Sequence, residues 1–274
     1  MFLPFKISSE SIRRLVSLQH SPTSFDTYYE DINRSILDYT NGEIKKQLID
    51  GTKLQEEWFP VDGPKMNFDV FISHSHKDLD DIVLPFARWL YDRLGLRCFI
   101  DSQFWQYSDD LLKQIDDGYA YQPESGTYNY LIRNFTTSNI HIMLSMALMK
   151  MMNKTEMVIF IDSDNSIVYH KGEKATPSPW IYEEVNFASS LEMKIPKRWQ
   201  TKLTAQYREG RRIEERFFSE AHKPNIQYKI NISDFYGLNS NTLNQLWYSG
   251  YRGERAMDEL YKSSLQAKSQ RIYG

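Results

Sequence analysis

Apolar and polar positions along the chain change period several times, and each change marks an element. The densest apolar run is Phe68-Asp69-Val70-Phe71-Ile72, which reads as a buried strand. It breaks at once into the polar stretch Ser73-His74-Ser75-His76-Lys77-Asp78. Leu79, Ile82, Val83, Phe86, Ala87, Leu90 and Leu94 then recur at helical spacing, and Gly95 stands where a left-handed cap would close the helix. A second strand, Leu96 to Asp101, follows. A buried strand that ends in a polar loop and feeds a helix predicts a parallel α/β sheet. The loop then lies at the carboxyl edge, where open sheets bind ligands.

The third strand is expected over Glu156 to Asp162, followed by a polar loop, 163–177. A helix opens at Pro177-Ser178-Pro179-Trp180 and runs to about Leu191. Segment 195–225 is basic and reads as helical over Arg208 to Glu220. Ile226 to Ile232 alternates as a fourth strand, and Leu243 to Trp247 and Arg252 to Leu265 suggest closing helices.

Two stretches lie outside this frame. Residues 1–65 precede the first strand and read as a helical N-terminal extension, with helices over Ser8 to Leu18 and Phe25 to Leu48. Ser9 and Ser24 are their expected N-caps, and Gly51, Pro60, Gly63 and Pro64 form a linker. Tyr28, Tyr29 and Tyr39 could dock on the core or on another subunit, with the core favoured. After Asp101 the sequence predicts a loop over 102–108, a helix from Asp109 to about Asp117 and an irregular loop over 118–128. Tyr130 to Asn153 is then a long apolar helix. Its five methionines between 143 and 152 read as core filler.

Composition narrows the function classes. The 274 residues, 41% hydrophobic and 25% charged, fit one large domain or one standard domain with additions. A net charge of −3 gives no reason to expect a nucleic-acid surface. Cys98 is the sole cysteine, so no intrachain disulfide or cysteine metal cluster can form, which suits a reducing cytosol. The opening MFLPFKISSESIRR lacks a signal-peptide pattern, and no apolar window is long enough to span a bilayer. Absence of G-x-G-x-x-G, G-x-x-x-x-G-K-[ST], H-E-x-x-H and G-x-S-x-G argues against a dehydrogenase, a P-loop NTPase, a zincin and an α/β-hydrolase. His74 and His76 offer metal-ligand chemistry, but no third ligand stands at a set spacing, and no metal is expected.

FDVFISHSHKD followed one helix later by CFID resembles the opening of a TIR (Toll/interleukin-1 receptor homology) domain. Ser178-Pro179-Trp180-Ile181-Tyr182-Glu183-Glu184-Val185 resembles that family's S-x-x-W-x-x-x-E-[LIV] pattern. The likeness spans roughly residues 66–120 and 155–190. It implies a flavodoxin-like parallel sheet flanked by helices over 66–274. The helical insertion at about 118–153 departs from the family, as does a BB loop with neither proline nor glycine. In TIR domains that cleave NAD, the glutamate of this pattern is catalytic. The carry-over lands on Glu184, which lies beside the apolar face of Ile181, Val185 and Ala188, while Glu183 points more toward solvent. The bland alternative is a first-turn glutamate favoured by the helix dipole.

The resemblance implies NAD as substrate, with no separate cofactor. Ser73, His74 and Ser75 match the place where family members contact the dinucleotide, and Asp101 ends the second strand beside it. Trp180 shares the face of Glu184. Phe104 and Trp105 are unusually aromatic for an exposed loop and could stack on a base. The resulting expectation is a cytoplasmic NAD glycohydrolase, ADP-ribosyl cyclase or transferase. It resembles bacterial anti-phage TIR proteins of the Thoeris kind, which self-associate through TIR–TIR contacts and signal to a separate effector through a nucleotide product. The alternatives are a non-catalytic TIR adaptor and, more weakly, a virulence TIR that perturbs host signalling.

Overall fold

The computed structural model describes residues 1–16, 25, 27–30, 50–63, 66–170, 172–200 and 226–273; the side chains of 102, 104–107, 170, 200 and 267–273 are outside that description. In chain order the elements are β1 (Leu3–Ser8), α1 (Ser9–Val16), α2 (Gly51–Trp58), β2 (Val70–Ser73), α3 (Leu84–Leu94) and β3 (Cys98–Ile100). Then come α4 (Asp101–Tyr119), β4 (Tyr121–Gln122), β5 (Thr127–Tyr128), α5 (Tyr130–Lys154) and β6 (Met157–Asp162). The chain closes with β7 (Val168–His170), β8 (Glu173–Thr176), α6 (Pro179–Ser190), α7 (Lys197–Gln200), β9 (Tyr228–Lys229), β10 (Tyr236–Leu238), α8 (Ser240–Tyr248) and α9 (Glu254–Tyr273). They form two compact units: Met1–Ser21, Phe68–Phe99 and Met152–Gly274 in one, Pro22–Asn67 and Ile100–Met151 in the other. The expected boundary at residue 65 therefore does not hold. The stretch expected as an N-terminal extension supplies parts of both units.

The first unit is α/β, built on a parallel five-stranded sheet in the order β10-β1-β6-β2-β3. Every residue of β2 is buried, as are the first five of β6. A central parallel strand covered on both faces requires such unbroken apolar sequence. From the β3 edge, the strands after Phe68 run second, first, third, consistent with a flavodoxin-like sheet. The next position is filled by β1, the strand nearest the N-terminus.

That strand corrects the helical reading of the first residues. Leu3, Phe5 and Ile7 are buried while Pro4 and Lys6 are half-buried, a period of two. Lys6 turns its ammonium aside to donate to the Ile232 carbonyl at 2.8 Å. Pairing with β6 runs from Leu3 opposite Met157 to Ser8 opposite Asp162. The helix expected after it is present as α1, and Ser8, one residue before the expected cap, accepts from the Ser11 N–H at 3.2 Å.

The helix after β2 is as the periodicity predicts, with an irregular start. A 3₁₀ turn over His76–Asp78 and a π turn over Leu79–Val83 lead into α3. Gly95 closes α3 at φ +67° and donates to the carbonyls of Leu90 and Tyr91. The fourth strand is not Ile226 to Ile232. Only Tyr228–Lys229 is extended there, and it pairs antiparallel with β8 in a separate sheet, β7-β8-β9. The fourth strand after Phe68 in the main sheet is β10, parallel to β1 with Phe5 opposite Tyr236. At the amino end of β6, Glu156 accepts from Arg198 at 2.8 Å and from the Tyr261 hydroxyl at 2.9 Å; Arg198 also donates to Asp258 at 2.8 Å. The expected helix over Arg208 to Glu220 lies outside the described residues.

The second unit joins the two stretches that the sequence treats as separate additions. The expected linker glycine, Gly51, opens helix α2, and Asp50 caps it by accepting from the N–H groups of Thr52 and Lys53 at 3.0 and 3.2 Å. Gln55 of α2 donates to the Met143 carbonyl of α5 at 2.8 Å. Phe25 and Tyr29 are both buried, their ring centroids 4.4 Å apart; Tyr39 lies outside the described residues. The expected loop 118–128 is a hairpin, β4 against β5, turning through Gly126 at φ +65°. Asp116 is buried and accepts from Arg133 at 3.1 Å and from the Thr136 hydroxyl. The expected loop 102–108 is also absent: β3 passes directly into α4, whose first residue is Asp101.

Candidate functional site at the carboxyl edge of the sheet

The chain leaves β2, adds β3 on one side, and returns to lay β6 on the other side of β2. Strand order reverses there, at the carboxyl ends of β2 and β6, the position at which open α/β sheets bind ligands. Ser73 is the last residue of β2 and lies opposite Phe160 of β6. Helix α6 begins at Pro179, with Ser178 as N-cap accepting from the Ile181 N–H at 3.3 Å. Its buried residues are Ile181, Glu184, Val185 and Ala188. Glu184 therefore occupies the stripe that faces the core, a position where an apolar side chain is the rule.

The side chains of Ser73 and Glu184 meet. The Ser73 hydroxyl donates to Glu184 Oε2 at 2.6 Å, within the range of a hydroxyl donating to a carboxylate. Glu184 is 1% exposed and Ser73 2%. Such burial fixes the carboxylate in place and removes it from bulk water. Glu184 stands in the second turn of α6, which has no acidic residue in its first turn, so the dipole reading does not apply. Glu183 is half-buried, and Trp180, one turn before Glu184, is half-buried too.

His74, 2% exposed, presents Nδ1 to the Ile72 carbonyl at 3.1 Å. A carbonyl only accepts, so Nδ1 carries the hydrogen, and in the neutral ring Nε2 is an acceptor. Ser75 is half-buried and precedes the 3₁₀ turn, where its carbonyl accepts from the Asp78 N–H at 2.9 Å. Asp101 is 2% exposed and belongs to the second unit. Phe104 and Trp105 lie on α4, and their side chains are outside the described residues.

Four residues at this edge of the sheet escaped the sequence reading. Asp78, 2% exposed, accepts from the Ser163 hydroxyl and from Asn165 Nδ2 at 2.7 Å. Ser166 donates to the Ile161 carbonyl at 2.8 Å and accepts from the Ser163 N–H at 2.9 Å. Together they tie the loop after β2 to the loop after β6. The signal was the S-x-x-S spacing at 163 and 166 beside an aspartate that closes the polar run after β2. Among the described residues no group of three His, Cys, Asp or Glu side chains could hold a metal ion, and no helix is long and apolar enough to cross a membrane. Neither a family model, nor a curated protein, nor a solved structure matches the chain.

Proposed function

We propose that this chain is a TIR-type NAD-cleaving enzyme, with Glu184 as its catalytic carboxylate. The observation that carries the reading is the 2.6 Å contact between Ser73 and Glu184. Two motifs, each TIR-like in sequence, converge on one hydrogen bond at the carboxyl edge of a parallel sheet. The product is ADP-ribose, a cyclic isomer or a conjugate, and the biological setting is bacterial anti-phage signalling in the cytoplasm. Self-association through TIR–TIR contacts completes the site, and the nucleotide product acts on a separate effector.

The chemistry needs one well-held carboxylate. Cleavage breaks the bond between the ribose anomeric carbon and the pyridinium nitrogen. The bonding pair goes to that nitrogen, so nicotinamide leaves neutral and needs no general acid. Positive charge develops on the ribose as an oxocarbenium ion, and a fixed carboxylate in a dry site stabilises it. Water or another nucleophile then adds to the anomeric carbon and gives up its proton. Ser73 orients the carboxylate, while His74 Nε2 accepts from a ribose hydroxyl. Ser75 remains a candidate substrate contact, with Trp180 as a candidate ring contact.

The 1% exposure of Glu184 favours a second reading, in which the chain is a TIR scaffold that keeps the pair as a buried polar link. Incubating the purified protein with NAD and resolving products by mass spectrometry separates the two. Nicotinamide release that disappears in Glu184→Gln supports the enzyme. No release at any protein concentration, together with an intact fold, supports the scaffold.

A further inference from the structure

Helix α5 is apolar on two opposite faces. Ile140, Leu144, Ala147 and Met151 are buried, as a packed helix requires. Leu131, Phe135, Ile142 and Met146 are 76%, 71%, 65% and 40% exposed. At 100° per residue these four fall within about 60° of one another, nearly opposite the buried stripe. Scattered surface leucines need no explanation, but a narrow stripe along four turns of one helix does.

We infer that this stripe is a two-fold pairing surface for a second copy of the chain, with two α5 helices packed antiparallel. Three features select that occupant. The first is symmetry. The spacings along the stripe are four, seven and four residues, the same from either end. A two-fold axis between Ser138 and Asn139 sets Leu131 against the second copy's Met146, and Phe135 against its Ile142. An isologous interface demands such a self-matching pattern, and few surfaces have one. The small Ser138 falls at the crossing point, where two helices approach most closely.

The second feature is area. At about 200 Å² for a large side chain, these four residues with the flanking Ile132 expose roughly 600 Å² of mostly apolar surface. A standard interface buries about 800 Å² per partner, somewhat more than half of it apolar. The third feature is charge. Arg133 is the sole Asp, Glu, Lys or Arg between 131 and 149, and it is engaged with Asp116 at 3.1 Å. Self-pairing thus brings no like charges together. A nucleic acid or an anionic bilayer finds no basic residue along the stripe, and interfacial membrane helices carry such residues. The pairing is independent of NAD cleavage.

The test is sedimentation velocity on the full chain across a concentration series, with melting temperature as the control for folding. Wild type is expected to dimerise. Phe135→Asp and Ile142→Asp are each expected to raise the dissociation constant by about 30-fold or more at unchanged melting temperature. Ser138→Cys supplies a geometric check that disturbs no apolar contact. The native Cys98 is buried, so mild oxidation is expected to link two copies through position 138 alone. Three results overturn the inference: a wild type that stays monomeric at the highest concentration, a dimer that both aspartate variants leave intact, or a dimer whose Ser138→Cys variant never cross-links. A monomer that instead floats with phosphatidylcholine vesicles through this stripe also overturns it.

Discussion

Ser73 and Glu184 stand 111 positions apart in sequence and 2.6 Å apart in space. One ends a central strand and the other lies on the core face of the helix that packs on the sheet. If the pair is catalytic, removing the charge and removing the hydrogen bond have different effects. Glu184→Gln retains volume and an oxygen that can accept from Ser73, so the fold survives while NAD turnover falls by about 100-fold or more. Ser73→Ala leaves the charge and loses its orientation, so the turnover number falls by less. Glu183→Gln leaves turnover close to wild type. Steady-state kinetics on the three variants, with melting temperatures, check this. Equal losses in Glu183→Gln and Glu184→Gln would rule out the assignment to Glu184.

The Asp78 network is expected to hold the loops after β2 and β6 together. Asp78→Ala leaves Ser163 and Asn165 without their buried acceptor, and a hydrogen bond to a charged group contributes about 1.5–3 kcal/mol. The midpoint of urea unfolding is expected to drop by that free energy, with the slope unchanged. Ser163→Ala gives a smaller loss, because Asn165 still reaches Asp78. A variant pair with the same midpoint as wild type would show that the loops are held by other contacts.

The central strands were legible because they are buried on both faces and carry unbroken apolar sequence. β2 and β6 need no context to be recognised. Strand β1 was not legible in the same way. Pro4 and Lys6 break its apolar run, and its place in the sheet comes from pairing with β6, more than 150 residues away. The helical start of α4 was hidden by its aromatic residues, although the stretch holds no proline or glycine to stop a helix. Glu184 was legible from its neighbours Ile181, Val185 and Ala188, which fix the buried stripe. Its partner was not, because a hydrogen bond between distant segments leaves no local pattern. The contact of Asp78 with Ser163 and Asn165 stayed hidden for the same reason, although the S-x-x-S spacing at 163 and 166 is itself local.

If assembly completes the site, the specific activity depends on protein concentration. Initial rates of nicotinamide release are expected to rise more steeply than in proportion to enzyme, and to flatten once assembly saturates. The check is a rate series at saturating NAD, with particle mass measured by light scattering on the same samples. Strict proportionality in a sample that scatters as a monomer throughout would exclude this dependence.

Tyr261 gives a prediction about alkaline pH. Its hydroxyl donates to Glu156 at 2.9 Å and its ring is fully buried between Phe2 and Phe5. Burial, reinforced by the Glu156 charge, pushes the phenol well above its ordinary value of 10.0. The unfolded chain therefore releases this proton as pH rises past 10, while the folded chain retains it. Above that point the folded state binds more protons than the unfolded state, so stability falls as pH increases. The contribution is fully present below pH 10 and is lost progressively above it. Tyr261→Phe removes the titrating group and leaves Glu156 with Arg198, its other partner. That variant is expected to be less stable at neutral pH, having lost a hydrogen bond, but flatter in its decline between pH 9 and pH 11. Urea midpoints of both proteins across that range provide the measurement. Parallel declines would mean that other groups carry the alkaline limb.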